Sequence, residues 1–212
     1  MQKSLTLSFV CVVLFAAGLA AANPVPSVWC DWEHGETLFH VEGTGDPAII
    51  ATNVTDPDPV HEGTHALRLE DNSPDGTPEA WIAYLYDLDE GDEVTVGFWR
   101  YDTTPSVAPS VRIWAHWNNS LPGDLSADDG SAGGDSDYGP GTGWDYAEYT
   151  WTVPAGMTGI VIEARTYSNP GDTVWIDELM VMPPGNCTIV TPCLTLVGTQ
   201  ETTFSSLKAE YR

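Results

Sequence analysis

Apolar residues in this chain recur with a period of two, and that pattern excludes most architectures. In VTVGFWRY (94–101), Val94, Val96 and Phe98 fall on one side of an extended strand. In VRIWAHW (111–117), Val111, Ile113, Ala115 and Trp117 share a side, and Arg112, Trp114 and His116 point the other way. HALRLE (65–70), WIAYLY (81–86), YAEYTWTV (146–153), GIVIEART (159–166) and TVWIDELMV (173–181) continue the series. Successive side chains of a strand alternate between faces, so runs like these describe half-buried strands. Gly, Pro, Asp and Asn fill the gaps, and Gly-Asp precedes the β-branched runs at 94 and 173, as turn chemistry requires. The fold class expected is all-β: a β-sandwich jelly roll of two antiparallel sheets. No helix of ordinary length fits before residue 200. SSLKAEYR (205–212) has room for about two turns, with Ser205 or Ser206 as N-cap.

The start of the chain has a different character. Lys3 precedes a mostly apolar run, Leu5 to Leu19, and Ala20, Ala21 and Ala22 offer small residues for cleavage. Residues 1–22 read as a secretory signal peptide, too short and without the basic flank of a membrane anchor. The expected organisation is signal 1–22, jelly-roll domain 23–182 and a C-terminal extension 183–212. Export implies a compartment in which disulfides persist, with the chain secreted or held at the cell surface. Cys187 and Cys193 flank the short segment CTIVTPC, which a disulfide would close. Cys30 is then odd: buried and free, paired between subunits, or paired with one of the other two.

Charge narrows the partners. Thirty-one acidic residues face seven basic ones, for a net charge of −24. That field repels phosphate backbones and anionic membranes, so nucleic acid is excluded. Nine Trp, eight Tyr and five Phe separate the chain from acidic disordered sequences. Neutral polymers, calcium and other protein remain as partners.

The order WEHGE, GTHALRLE, LDEGDEVTVGFWRY, a tryptophan-rich strand and GDTVWIDELMV resembles the β-jelly-roll carbohydrate-binding modules of secreted bacterial glycoside hydrolases, of the xylan- and glucan-binding kind. The resemblance covers residues 28–182. It implies non-catalytic binding of a polysaccharide and a structural calcium held between the first and last strands. On this sequence the matching side chains are Glu33 and Asp177, with a carbonyl from Thr64 or His65. Calcium favours such oxygen donors. A second acidic stretch, DLSADDGSAGGDSD (124–137), lacks EF-hand spacing and reads as a loop or a weaker calcium site.

Sugar rings have apolar C–H faces and a hydroxyl rim, so exposed aromatic rings beside polar side chains are the residues to seek. Trp99 and Tyr101 share a side of their strand, as do Arg112 and Trp114, and Glu163, Arg165 and Tyr167 share another. If these faces coincide, Trp99, Tyr101, Arg112, Trp114, Glu163, Arg165 and Tyr167 form one carbohydrate-binding platform. Trp81, Trp117, Trp151 and Trp175 are expected in the core, with Trp81 and Tyr84 as alternative groove residues. Trp144 and Tyr146 follow a glycine loop from which either can overhang a site.

Two other function classes compete. Self-assembly into an extracellular filament or surface layer would use the apolar run Cys193–Val197 as a strand added to itself or to a neighbouring subunit. A small polysaccharide hydrolase or lyase would need a carboxylate pair, with Glu148, Glu163, Asp177 and Glu178 the strand candidates. Asn53, Asn118 and Asn186 each begin an N-x-Ser/Thr sequon.

Overall fold

A computed structural model describes residues 27–103, 111–137, 142–166, 170–185 and 187–196. The signal segment, the helix expected after Ser205, Tyr167 and Asn186 lie outside the described residues. Among the described residues thirteen strands follow in order: β1 Val28–Cys30, β2 His40–Glu42, β3 Ile49–Val54, β4 Ala66–Asp71, β5 Glu79–Tyr86, β6 Glu93–Asp102, β7 Val111–Trp117, β8 Ser131–Gly134, β9 Gly143–Thr152, β10 Gly159–Thr166, β11 Thr173–Met182, β12 Thr188–Thr191 and β13 Leu194–Leu196. They form two antiparallel sheets. The first runs β3-β4-β11-β6-β9, with β1 also pairing β11. The second runs β13-β12-β5-β10-β7-β8, with β2 also pairing β5. No helix among the described residues is long and apolar enough to cross a membrane.

The core lies between the sheets and follows the alternation. Val94, Val96 and Phe98 from β6 meet Ile113 and Ala115 from β7, Ile160 and Ile162 from β10, and Ile176 and Leu179 from β11. Two β-bulges break the alternation where it matters for function. Between Asp177 and Met180, β11 carries an extra residue against β6, and Glu178 takes a positive φ of 49°. The parity therefore switches: Val174 and Ile176 face inward before the bulge, Leu179 and Val181 after it. Between Ile162 and Glu163 of β10, Ile82 is the extra residue on β5. Ile82 and Ala83 both reach the core, and Trp81, Tyr84 and Tyr86 come out on the same outer face.

The extension is shorter than expected. β12 pairs β5 over Thr188–Val190, and β13 pairs β12, so the sandwich continues beyond residue 182 to at least 196. The run after Cys193 is thereby used as a strand within its own chain. The disulfide joins Cys30 to Cys193, not Cys187 to Cys193. Cys187 is a buried free thiol, pushed up to about 12 chiefly by desolvation. The reason is topological: the strand β12 separates Cys187 from Cys193, while the Cα atoms of Cys30 and Cys193 lie 5.3 Å apart. The sequon residues Asn53 and Asn118 are both engaged. Asn53 Nδ2 donates to the carbonyls of Trp32 and Glu36, and the fully buried Asn118 donates to those of Asp124 and Leu125.

Candidate carbohydrate-binding face

Of the seven residues proposed as one platform, the six that are described divide between two sheets. Trp99 and Tyr101 stand on β6, on the outer face of the first sheet; Arg112, Trp114, Glu163 and Arg165 stand on β7 and β10, on the outer face of the second. Alternation assigns a residue to a face of its own strand but not to a sheet.

On the second sheet, register builds three rows across the strands. His40, Trp81, Glu163, Trp114 and Gly134 form one; Glu42, Glu79, Arg165 and Arg112 form the next; Val190, Tyr84, Val161, His116 and Ser131 form the third. Arg165 ion-pairs with Glu79, lies 3.4 Å from Glu163 Oε2 and rests 4.6 Å from the Trp114 ring centre. Arg112 lies 5.3 Å from the same ring. A guanidinium over an indole is attracted by the ring quadrupole, so these contacts hold Trp114 in a fixed orientation. Its Nε1 donates to Ser131 Oγ. Beside it stands Gly134 of β8: a side chain there would collide with the backbone of Ile113 and Trp114, so this position demands glycine. Toward the other end, Phe39 meets Tyr84 edge-on at 5.2 Å and Tyr84 stacks with Tyr86 at 6.4 Å. Trp114, Tyr84, Tyr86 and Phe39 are all half-buried, and each presents part of its ring to solvent. Trp81 is buried, with His40 packed on it at 4.5 Å.

Under these rings His116 Nδ1 lies 2.6 Å from Glu163 Oε1. Burial pushes the Glu163 carboxyl up to about 8, with Asp128 and Glu42 adding to it, and burial also lowers His116. Glu79, His116 and Glu163 place one donor each within 4.8 Å of one another, a spacing that suits a metal. Arg165 already supplies the positive charge there, since it pairs with both carboxylates. Of these residues Glu79, His40, Phe39 and Tyr86 escaped sequence reasoning, and His116, placed on the side of Arg112 and Trp114, was left out of the platform. Glu79 sits at a strand start, and the bulge at Ile82 hides the shared face of Trp81, Tyr84 and Tyr86.

The outer face of the first sheet is covered around Trp99 and Tyr101, while Trp29 of β1 stands exposed on it. Segment 55–65 crosses it and lays His61 flat on Trp99, at 3.9 Å and 16°, with Trp144 edge-on at 5.2 Å. Trp175 and Tyr101 pack with Val60, Trp144, Val54 and Ala66 in a small second core, so Trp175 is buried outside the main one. Tyr146 leans toward Trp99 at 5.4 Å. Trp99 and Tyr101 therefore serve packing under a loop.

The two residues matched to a calcium site clasp that same loop. Asp177, fully buried, accepts hydrogen bonds from the amides of His61, Glu62 and Glu178. Its carboxyl is pushed up to about 6, chiefly by desolvation. Glu33 accepts from the amides of Thr64 and His65 and from the Thr64 hydroxyl, which lower it to about 2. Gly63 takes a φ of 72° and leaves room for the Glu33 carboxylate. The two carboxylates fit a hard cation by donor type, and in the form described here amide N–H groups and the Thr64 hydroxyl occupy their oxygens. In the 124–137 loop, Asp124, Asp128 and Asp135 accept from backbone amides two residues on, and Asp129 accepts from Asn119 N. These are turn-capping bonds.

No family model and no curated protein matches the chain. Solved structures do. The CBM22-1 xylan-binding domain from Paenibacillus barcinonensis is similar over 74% of this chain and 92% of its own length, with 10% identity and a TM-score of 0.51. The tandem of two such domains from the same protein is similar over 77% of this chain and 47% of its own length, with 10% identity and a TM-score of 0.53. The chain also spans 19% of the enzymatically active domain of bacteriophage CBA120 tailspike protein 4, with 16% identity and a TM-score of 0.47. The sandwich thus has the fold of carbohydrate-binding modules.

Proposed function

We propose that the outer face of the second sheet binds a neutral polysaccharide without cleaving it, and that the chain does so outside the cell. The observation that carries this reading is the combination on one open face of partly exposed rings, at Trp114, Tyr84, Tyr86 and Phe39, with hydrogen-bonding groups at Arg165, Glu79 and His40. Rings offer flat apolar area to the C–H faces of sugars, and the polar groups take the hydroxyls. The net charge of −24 favours an uncharged chain over an acidic one. Glu79 and Glu163 both engage Arg165, which suits them to holding a binding group in place. The xylan-binding domains of like fold support the same class of ligand. The Cys30–Cys193 disulfide suits an oxidising compartment.

Affinity electrophoresis through soluble xylan, mixed-linkage glucan and galactomannan tests the reading. Retardation by at least one polymer is expected, lost in Trp114→Ala and kept in Trp99→Ala. Migration unaffected by all three, or loss confined to Trp99→Ala, would sink it.

Calcium belongs to the same proposal as a stabiliser of the first sheet. Glu33 and Asp177 hold one five-residue stretch, 61–65, whose carbonyls supply further oxygens, and a cation would relieve the burial of the Asp177 charge. A melting temperature that rises with calcium, returns with chelator and does not respond in Asp177→Asn is expected. Identical melting with calcium and with chelator would remove calcium from the account.

A further inference from the structure

Beneath the open face lies a pair of side chains that sugar stacking alone does not call for. His116 and Glu163 are 8% and 1% exposed and touch through Nδ1 and Oε1. Trp81 packs over His116 at 5.1 Å, and His40 packs over Trp81. His116 Nε2 and Glu163 Oε2 have no hydrogen-bond partner among the described residues. Burial favours the uncharged form of each member. Near neutrality the pair therefore holds one titratable proton on the carboxyl, shared with Nδ1, and is neutral overall. Losing it leaves a buried carboxylate.

The guanidinium stacked on Trp114 lies within ion-pair range of that carboxylate. Arg165 Nη2 is 3.4 Å from Glu163 Oε2, within ion-pair range and beyond a good hydrogen bond. While Glu163 is protonated, Glu79 is the carboxylate that holds Arg165, and the guanidinium lies on the indole. Once Glu163 ionises, its buried Oε2 demands a donor, and a shift of a few tenths of an ångström draws Arg165 inward to hydrogen-bond distance and loosens its contact with the ring. The other charged or titratable groups facing the pair come from every neighbour: Glu79 on β5, Arg112 on β7, His40 and Glu42 on β2, and Asp128 in the loop after β7. Glu42 and Asp128 oppose ionisation, and the two arginines favour it.

We propose that His116 and Glu163 form a proton-holding dyad that sets the Arg165–Trp114 stack, so that glycan affinity at this face weakens as the dyad loses its proton. The proposal rests on the glycan-binding reading above. It is tested on the full chain by calorimetry with xylohexaose and cellohexaose from pH 6.5 to 9.5, together with the indole N–H resonances of Trp81 and Trp114 in sugar-free samples. With only the protonated form competent and a midpoint of about 8, affinity falls about tenfold by pH 9. Both indole resonances move with the same midpoint. Glu163→Gln cannot ionise; whatever its absolute affinity, its pH dependence flattens to within about 1.5-fold, and the indole titration disappears. His40→Gln keeps that titration, which separates the dyad from the exposed imidazole above it. Flat wild-type affinity across the range, or an indole titration that persists in Glu163→Gln, overturns the proposal. Wild-type indoles that do not titrate overturn the dyad and leave the glycan reading standing. Absence of binding to either oligosaccharide at every pH, with the indole titration intact, overturns the glycan reading instead. The wild-type resonances decide the matter by themselves if Glu163→Gln does not fold.

Discussion

Trp99 and Trp114 both point outward from a strand interior, one on each sheet, and each has a nitrogenous side chain on its indole. On Trp99 it is His61, at 3.9 Å; on Trp114 it is Arg165, at 4.6 Å. The difference is where the stacking group comes from. His61 arrives on a segment that crosses the sheet and is tied down by Asp177 and Glu33, so it brings a stretch of chain over the ring. Arg165 arrives from the adjacent strand of the same sheet and lies over the ring as a single side chain, and the indole stays half-buried. An aromatic residue on an outer strand position becomes core or site according to whether a loop is anchored above it.

The largest stability effect is expected where the two faces are joined. Cys193→Ser unties β1 of the first sheet from the β12–β13 turn of the second, a loop closure of 163 residues. It should lower stability by about 2–5 kcal/mol, read by urea denaturation. Next come the two tryptophans as a pair. Trp99→Ala should lower stability by about 2–3 kcal/mol with glycan affinity within about twofold of wild type. Trp114→Ala should weaken binding at least about tenfold with a smaller change in melting. Equal effects of both variants on binding would break the distinction between the faces.

Asp177→Asn puts an amide where three backbone N–H groups seek an oxygen. A loss of about 1–3 kcal/mol is expected, with faster hydrogen exchange at His61 and Glu62 and unmoved resonances at Trp114. Smallest are the slopes with pH. Glu163 and Asp177 are raised on folding to about 8 and about 6, so the folded state holds protons that the unfolded state has released. Each stabilises increasingly as pH falls through its folded value and adds nothing further below its unfolded one, with a slope of at most about 1.4 kcal/mol per pH unit. Glu33 is lowered to about 2, so its contribution is complete above its unfolded value and is lost as pH falls toward 2. Melting should therefore decline from pH 5 to 8, less steeply in Glu163→Gln, and fall again below pH 4.

Much of the sandwich was legible because strands alternate their faces, and the residues that β6, β7, β9 and β10 send into the core recur with that period. What escaped was whatever depends on pairing across the chain. Two bulges change parity locally, at Ile82 and at Glu178, and neither leaves a mark in composition. Trp81 and Tyr84, three apart, would sit on opposite faces of a regular strand and share one here. Arg112, Trp114, Glu163 and Arg165 come together as expected because β7 pairs β10 directly, whereas Trp99 and Tyr101 belong to a strand whose neighbours are β9 and β11. The partner of Cys30 likewise depends on β12 returning to β5, a contact between segments about a hundred residues apart.

The same crosslink has a mechanical consequence. Tension applied through the chain on either side of the described domain enters near Cys30 and leaves near Cys193, and the disulfide connects those two points directly. The load passes through a sulfur–sulfur bond and bypasses the 163-residue excursion that carries nearly all of both sheets. A module clamped to a polymer while being pulled from its ends would keep the strand register of its open face, and hence its grip, up to forces that unravel sandwiches held by hydrogen bonds alone.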